Sequence, residues 1–196
     1  AEASKLLENI QRDVNIALLN ELQFCFDEMG IPMDSVLKSA STKWNFNNYH
    51  PGLVGGHCVP VDPYYLIDEA KKFSTNLPLI AQSRKTNEAA VANFYRKILN
   101  KLTSPYTSSY VLINGLSFKP DVQDIRNSQV PPLKRMLEQN GVKVDVYDPS
   151  VKAEVAKNSF GIDLLKKIPS FDNYHLIVSP YDLSIKKGGK YSSSLS

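Results

Sequence analysis

One loop of the sequence concentrates residue types that can do chemistry. The stretch PGLVGGHCVPVDPYYL, residues 51–66, places Cys58 between a histidine and a proline and behind the glycine pair Gly55 and Gly56. Glycines let a backbone approach a ligand closely, and an accessible cysteine thiol is a good nucleophile. Structural cysteines more often lie on an apolar face. The context of Cys58 therefore favours a nucleophile, with a structural thiol as the alternative.

Asp62 follows Cys58 by four residues and begins the helical pattern DPYYLIDEAKKF. Pro63 suits the first turn of that helix and Asp62 suits its cap, which is a purely structural role. The same carboxylate can also hold or deprotonate a water molecule beside the thiol. Because His57 and Cys58 have no companion CxxC or HxxxH motif, no metal site is predicted.

Two further pairs of polar residues are candidates. Lys5 and Asn9 are four residues apart in a helical run, so an ammonium and a carboxamide share one face, a pattern that is also typical of a solvated helix surface. Lys119 and Arg126 fall in the stretch GLSFKPDVQDIRNS, after an apolar run. Cations in such a loop suit a phosphate ligand, and solvated surface is an equal alternative.

The first half of the chain, which must position the cysteine loop, is predicted to be helical. A long helix is expected from Ala3 to about Met29, where Gly30 can cap it and Pro32 blocks its continuation. Shorter helices are expected over 33–40 and after Asp62, and another long one over about 79–102. The apolar residues of the first helix cover more than one face, which favours burial against its own domain and a second subunit.

In the second half of the chain, the spacing of the apolar residues changes from a helical pattern to a strand pattern. Three apolar, β-branched runs occur at 108–118, 143–149 and 175–180, and the first two flank a helical stretch at about 132–140. This βαβα alternation predicts a parallel sheet with crossover helices, whose ligands bind at the C-terminal ends of the strands. After residue 182 the sequence LSIKKGGKYSSSLS is typical of a frayed tail.

Composition excludes several functions. The chain has 196 residues and a net charge of +3, with scattered basic residues, which argues against nucleic-acid binding. No apolar run approaches the length of a membrane span. Cys25, in an apolar helical run, and Cys58, in a loop, do not resemble a disulfide framework, so a reducing cytoplasmic setting is predicted. Cys25 is expected to be buried in the middle of its helix, and Cys58 is expected to be partly accessible. The chain begins in a helical pattern without an initiator Met, which favours a fragment.

Four stretches together resemble the UDP-glucose/GDP-mannose dehydrogenase family: AEASKLLENIQRDVNIALLNEL, TKWNF, PGLVGGHCVPVDPYYL and GLSFKPDVQDIRNS. The GGHC…VDPYYL form is most similar to the UDP-N-acetylhexosamine 6-dehydrogenase branch, which supplies uronic acids for bacterial surface polysaccharides. The resemblance implies an N-terminal NAD-binding Rossmann domain, a central helical dimerisation domain and a Rossmann-like UDP-binding domain. The chain contains no GxGxxG motif, so the first domain is expected to be absent.

The resemblance implies an α/β fold in which 1–104 is the central helical dimerisation domain with the cysteine loop. Residues 105–182 would form a truncated Rossmann-like UDP-binding domain, followed by a flexible tail at 183–196. A homodimer through the first long helix, a UDP-N-acetylhexosamine substrate and the cofactor NAD, bound mainly by the absent domain, are also implied.

Residue by residue, the resemblance makes Cys58 the nucleophile that holds the sugar C6 aldehyde as a thiohemiacetal and then as a thioester. Lys5 would stabilise oxyanion character with Asn9 as its partner, and Asp62 would activate the hydrolytic water. Contacts to the nucleotide sugar or cofactor fall on five further residues: Gly55, Gly56, Phe118 and Lys119 for the substrate, and Arg126 for the NAD phosphates.

Two alternatives stay open. The chain could be a non-catalytic dimerisation and nucleotide-sugar-binding module in which the cysteine loop is idle. It could also be a generic helical domain with an α/β appendage, which would make the four-motif resemblance a coincidence. The identity of the hexosamine is not predicted, because UDP-GlcNAc, UDP-GalNAc and UDP-ManNAc differ only at stereocentres that one pocket residue could select.

Overall fold

A computed structural model of the chain describes residues 2–189. The chain forms two compact units. The first contains residues 2–52 together with Cys58–Ala90, and the second contains Leu53–His57 together with residues 91–189. Within residues 2–189, no helix is long and apolar enough to cross a membrane.

The first unit is helical, as predicted. It contains α1 (Glu2–Glu28), α2 (Met33–Ala40), α3 (Asp62–Lys71) and the first part of α4 (Pro78–Lys101). Helix α1 ends at the predicted position because Gly30 adopts a φ of +70°, which a glycine tolerates at a helix end. The Ile31 N–H then donates to the Phe26 carbonyl at 2.8 Å and closes the last turn.

The apolar core of the first unit forms where α1 meets α2. Leu19 of α1 is buried with Met33 and Leu37 of α2. Four partly buried side chains pack around them: Leu22, Phe26, Phe46 and Tyr49. Burial of this apolar surface fixes the angle at which the chain turns after Gly30 and leaves the polar face of α1 for other contacts.

A second face of α1 carries exposed apolar side chains. Leu7, Leu18 and Met29 are 68%, 55% and 62% exposed, and their spacing places them on one side of the helix. Cys25 lies on the same side and is exposed, so the prediction that it is buried is wrong. An apolar helical run around a cysteine indicates burial only if the face that carries the cysteine is covered by the chain itself.

The second unit contains the predicted sheet. Its elements are the rest of α4, β1 (Tyr110–Asn114), α5 (Val130–Gln139), β2 (Lys143–Tyr147), α6 (Ala153–Phe160), β3 (Leu176–Val178) and β4 (Ile185–Lys187). The strand order is β2-β1-β3-β4, with β1 parallel to both β2 and β3 and β4 antiparallel to β3. The prediction of an α/β fold, helical first and then mostly parallel, is confirmed.

Burial explains why β1 is the centre of the sheet. Val111, Leu112 and Ile113 are all fully buried, as is typical of a parallel strand covered on both faces. In α5, Leu133 and Leu137 are also fully buried. The two prolines of VPPLKRMLEQ lie in the first turn of α5, where the missing N–H groups cost no hydrogen bond.

Two elements of the second unit were not predicted. Helix α6 follows β2, and its C-terminal Gly161 has a φ of +69°. Strand β4 lies inside the stretch predicted as a tail over 183–196, because the backbone of Ile185–Lys187 pairs with the free edge of β3. The remainder of that prediction, residues 190–196, lies outside the described residues.

Candidate active site

Helix α1 places Asn9 against the segment that follows Cys58. The Asn9 side chain is 2% exposed, and its Nδ2 donates to Oδ2 of Asp62 at 2.6 Å. The N–H of Asp62 donates in turn to the Cys58 carbonyl at 2.8 Å. The first unit therefore joins two of the predicted catalytic residues directly and ties the backbone of the third to them.

The predicted capping role of Asp62 is corrected. Val61 is the N-cap of α3, no side chain in the described part of the chain caps the helix, and Asp62 is already its first residue. Its carboxylate accepts the Asn9 amide instead of a helix N–H. A carboxylate at this position carries the negative charge that the first turn of a helix favours.

Lys5 lies one turn before Asn9 but is not buried with it. Its Nζ lies 2.5 Å from Oε2 of Glu8, and its side chain is 61% exposed. The hydrogen bond and charge of Lys5 lower the pKa of Glu8. A role for Lys5 beside the thiol stays a prediction, because this ammonium bonds to Glu8.

Cys58 is free and half-buried at a tight turn. Its carbonyl accepts the N–H groups of Val61, at 3.0 Å, and Asp62, at 2.8 Å. All the residues of the preceding segment, 51–56, are buried, which is unusual for a loop because every buried backbone group needs a partner. The backbone groups of this segment therefore need hydrogen-bond partners within the protein.

The sequence analysis missed a buried polar network in the first unit. Asp13 of α1 forms a salt bridge with Arg84 of α4, and Oδ1 of Asp13 also accepts Nδ2 of Asn87 at 2.8 Å. Asn20 lies further along α1. It donates to Oδ1 of Asn87 at 2.9 Å and bonds the backbone of Gly52. The available signal was the polar pair Asp13 and Asn20, which are seven residues apart on one face of a mostly apolar run.

Burial sets the electrostatics of this network. It raises the pKa of Asp13, and the charge of Arg84 and the bond from Asn87 only partly oppose the rise. Oδ2 of Asp13 and Nε of Arg84 are buried and have no hydrogen-bond partner among residues 2–189. The pair is therefore incompletely satisfied, and each member depends on the other for its charge to be tolerated.

In the second unit, the glycines of the loop are required by close packing. A Cβ on Gly55 would lie 3.0 Å from both the Phe118 Cβ and the Asn127 carbonyl oxygen, and Gly56 has a φ of +86°. The Gly56 N–H donates to the Arg126 carbonyl at 2.9 Å, and Nδ2 of Asn127 donates to the Gly56 carbonyl at 2.9 Å. The segment 53–57 is thus fixed against the loop between β1 and α5, which brings together Gly55, Gly56 and Phe118 of the predicted binding residues.

The two predicted cations of that loop have different surroundings. Nε of Arg126 donates to Oδ1 of Asp124 at 3.0 Å, and its terminal nitrogen lies 2.9 Å from Nδ1 of His57. The hydrogen bond from Arg126 holds the pKa of Asp124 far below its usual range. Lys119 is exposed, with its Nζ 5.6 Å from the centroid of the Phe118 ring.

Asp148, at the end of β2, fixes the start of the same loop. Its Oδ2 accepts the N–H groups of Leu116 and Ser117, at 2.8 and 3.0 Å, and the hydroxyls of Ser117 and Tyr181, at 3.0 and 3.2 Å. Oδ1 accepts the Ser150 N–H at 2.9 Å. Burial pushes the pKa of Asp148 upward, but the bonds from these N–H groups outweigh it and lower the pKa.

We expect Asp148→Asn to lower the free energy of unfolding at pH 7 by about 1–3 kcal/mol, because the charge is lost and an NH2 group replaces one of the two accepting oxygens, which leaves at least one donor without its acceptor. The folded-state pKa of Asp148 is depressed, so its stabilisation is present above the unfolded value of about 3.9 and is lost as the pH falls through the folded value. The gap between wild type and variant should therefore close below about pH 4. Urea unfolding at several pH values measures it.

The control for this experiment is Asp163→Asn, because the Asp163 side chain is 80% exposed in its contact with Lys157. It should change stability little at any pH. A gap for Asp148→Asn that is as large in acid as at neutral pH would contradict the assignment of the charge.

No metal site is evident in the part of the chain that the structure describes: residues 2–189 contain no group of three or more His, Cys, Asp or Glu side chains that could hold an ion. The glycine-rich phosphate loop of a dinucleotide site does not occur in the sequence either. The first unit offers a cysteine and a carboxylate with an amide partner. The second unit offers cations on a loop after a parallel strand.

Two domain profiles of one protein family match the chain. The profile of the UDP-glucose/GDP-mannose dehydrogenase family, central domain, matches residues 1–89, and that of the family's UDP binding domain matches residues 112–184. The Pseudomonas aeruginosa UDP-N-acetyl-D-glucosamine 6-dehydrogenase is 45% identical over 83% of this chain and 39% of its own length. The Salmonella typhi UDP-N-acetyl-D-glucosamine 6-dehydrogenase is 38% identical over 96% of this chain and 45% of its own length.

A solved structure is also similar to this chain. The crystal structure of NDP-N-acetyl-D-galactosaminuronic acid dehydrogenase from Methanosarcina mazei superposes with a TM-score of 0.78 at 27% identity, covering 92% of this chain and 40% of that chain. The chain spans about two fifths of the length of the curated relatives it matches. It belongs to the UDP-glucose/GDP-mannose dehydrogenase family, whose central and UDP-binding domains it carries.

Proposed function

We propose that this chain is the cysteine-bearing and substrate-binding part of a cytoplasmic, NAD-dependent UDP-N-acetylhexosamine 6-dehydrogenase that makes uronic acids for surface polysaccharides. The observation that carries the proposal is the bond between Asn9 and Asp62 beside the turn at Cys58. A purely structural loop does not need a buried amide directed at a carboxylate four residues after a cysteine. The identity of the relatives supports the substrate class.

Cys58 acts on the sugar after its C6 alcohol has become an aldehyde. The thiolate adds to the carbonyl carbon, which forms a C–S bond and a thiohemiacetal. Loss of a hydride from that carbon gives a thioester, and water cleaves the C–S bond to release the uronate and the free thiol. NAD, when it is bound by the rest of the enzyme, accepts the hydrides.

Asp62 and Lys5 assist the reaction at C6. Asp62 takes a proton from the water that attacks the thioester, and the bond from Asn9 orients the carboxylate for this role. Lys5 stabilises the oxyanion that forms at C6 when its ammonium leaves Glu8 and turns toward the substrate. Breaking the ion pair with Glu8 costs little free energy, because an exposed ion pair contributes little to stability.

The second unit binds the nucleotide sugar through the loop after β1. Gly55 and Gly56 present backbone rather than side chains, with Phe118 packed against them. Lys119 pairs with the diphosphate, and Arg126 reaches the NAD phosphates from its place beside Asp124. The Asp148 contacts hold the start of this loop before any ligand arrives.

The experiment that tests the proposal follows NADH and uronate formation with UDP-GlcNAc, UDP-GalNAc and UDP-ManNAc. It uses a protein that joins this chain to an NAD-binding domain. At least one of the three sugars should be oxidised to the acid. If the protein binds these sugars but oxidises none, the chain is the non-catalytic binding module instead.

Binding of UDP can be tested on the chain alone. UDP at about a hundredfold above its Kd should raise the melting temperature by about 5–10 °C, because a ligand that binds only the folded state stabilises it. Lys119→Ala should weaken binding about tenfold, because a charge-assisted hydrogen bond is lost. Lys152→Ala, at another exposed lysine of the second unit, is the control. No shift at millimolar UDP would contradict the binding role.

Assembly is tested through the exposed face of α1. We expect the chain to be a dimer at micromolar concentration, held by the surface that Leu7, Leu18 and Met29 share. Leu18→Glu should give monomers by light scattering, because a charge would be buried without a partner. Leu79→Glu, at a 68% exposed leucine of α4, should leave the dimer intact. A wild-type monomer would contradict the proposal.

A further inference from the structure

Helix α1 carries buried polar side chains that the mechanism above does not use. Asp13 and Asn20 are fully buried, and Asn87 of α4 is 3% exposed. Asn9 lies on the same stretch of α1 and bonds Asp62. Buried amides are costly unless their bonds are made, so a row of them on one helix indicates a specific task.

Asn20 holds the backbone of Gly52 with two hydrogen bonds. Its Oδ1 accepts the Gly52 N–H at 2.8 Å, and its Nδ2 donates to the Gly52 carbonyl at 3.0 Å. One amide thus satisfies both backbone groups of one residue, as a neighbouring strand would. This pairing fixes the position and the orientation of the peptide at Gly52, six residues before Cys58.

Asn87 keeps the Asn20 amide in that orientation. Its Oδ1 accepts from Nδ2 of Asn20 at 2.9 Å, and its Nδ2 donates to the Asp13 carbonyl at 2.9 Å and to Oδ1 of Asp13 at 2.8 Å. The donor and acceptor ends of both amides are therefore assigned by their partners. A flip of Asn20 would lose its bonds to Gly52 and Asn87 together.

We infer that Asn20 is a positioning residue for Cys58: with Asn87 behind it, Asn20 fixes Gly52 before the cysteine, while Asn9 fixes Asp62 after it. The inference rests on the proposed function, because it explains how the nucleophile is kept in place. Both ends of the segment from Gly52 to Asp62 are anchored to one rigid helix. Anchored ends leave the segment fewer conformations, which preorganises the thiol for attack.

The test compares Asn20→Ala with Asn15→Ala. Asn15 lies on the same helix, and its Nδ2 donates to the Gln11 carbonyl at 2.7 Å, so the control removes an amide without touching Gly52. Two quantities are measured in the chain: amide hydrogen exchange by NMR at Gly52, Val61 and Asp62, and the rate of iodoacetamide labelling at Cys58 relative to the exposed Cys25 in the same molecule.

In Asn20→Ala we expect exchange at Gly52 to rise about tenfold or more relative to amides of α4, because its acceptor is gone. The labelling ratio of Cys58 to Cys25 should rise about threefold or more, because the half-buried thiol gains access when the segment loosens. Asn15→Ala should change neither. A uniform rise in exchange across the first unit, or an unchanged labelling ratio, would mean that Asn20 is only a structural residue.

If Asn20→Ala does not fold, Asn20→Ser is measured by the same criteria, since its hydroxyl keeps a polar group at the site. Failure of this inference is distinguishable from failure of the proposed function. Amide exchange and relative labelling report on the anchor whether or not Cys58 is a nucleophile, while uronate formation by the wild-type protein reports on the function alone.

Discussion

Replacing Arg84 by methionine is expected to lower the free energy of unfolding by about 3–5 kcal/mol, a large part of the stability of a domain. The side chains of Arg84 and Asp13 are 4% and 0% exposed, so the variant leaves a carboxylate buried without its counter-charge. Burial already raises the pKa of Asp13 in the presence of Arg84. Urea unfolding followed by circular dichroism of the helices measures the loss.

The double variant Asp13→Leu with Arg84→Met should recover most of that loss. Replacing both members of a buried pair removes the desolvation cost together with the attraction. Asn87 keeps a partner in this variant, because it also donates to the backbone carbonyl of residue 13. Arg12→Met is the control: its partner Glu8 is exposed, and we expect a change of at most about 1 kcal/mol. A double variant as unstable as Arg84→Met would contradict this account.

The contacts that Asp13 makes with α4 could not be predicted from the sequence. Helix α1 was predictable because Gly30 and Pro32 punctuate a run without other breakers. The partner of Asp13 is 71 residues away on α4, and no local pattern identifies it. The unusual feature in the sequence was Asp13 itself, a charge on the buried side of an apolar helix, and it was not recognised.

Three of the four strands of the sheet could be predicted from local sequence patterns, and the fourth could not. The three β-branched runs became β1, β2 and β3 because their periodicity and apolar character are local. Strand β4 has only three residues, IKK, and it exists because the edge of β3 offers unpaired backbone groups. Pairing energy that comes from a neighbour does not appear in the composition of the strand.

In the candidate site, too, the residue types were predictable from local sequence, whereas their contacts were not. The residue context favoured Cys58, the family resemblance added Asn9 and Asp62, and the structure joins Asn9 to Asp62. It misjudged Cys25, because the exposed face of α1 looks apolar in sequence whether or not this chain covers it. The exposure of Cys25 turns out to be useful, since it provides a second thiol for comparison with Cys58.

Cys58→Ser is expected to abolish release of the uronate by a protein that joins this chain to an NAD-binding domain. A serine hydroxyl has nearly the size of the thiol but is a much weaker nucleophile at neutral pH, and an oxygen ester is less activated toward water than a thioester. Cys58→Ala removes the nucleophile altogether. The acid product is measured by mass spectrometry, with the melting temperature as a check on folding.

The control is Cys25→Ser, the same substitution at a thiol whose Sγ lies 3.8 Å from Sδ of Met29 and that is exposed on α1. It should leave uronate formation unchanged. The comparison separates position from chemistry, because Cys25 is the more exposed of the two thiols and accessibility alone would make it the more reactive one. Full uronate formation by a folded Cys58→Ala variant would show that the loop holds a structural cysteine, and the nucleophile would then have to be sought elsewhere.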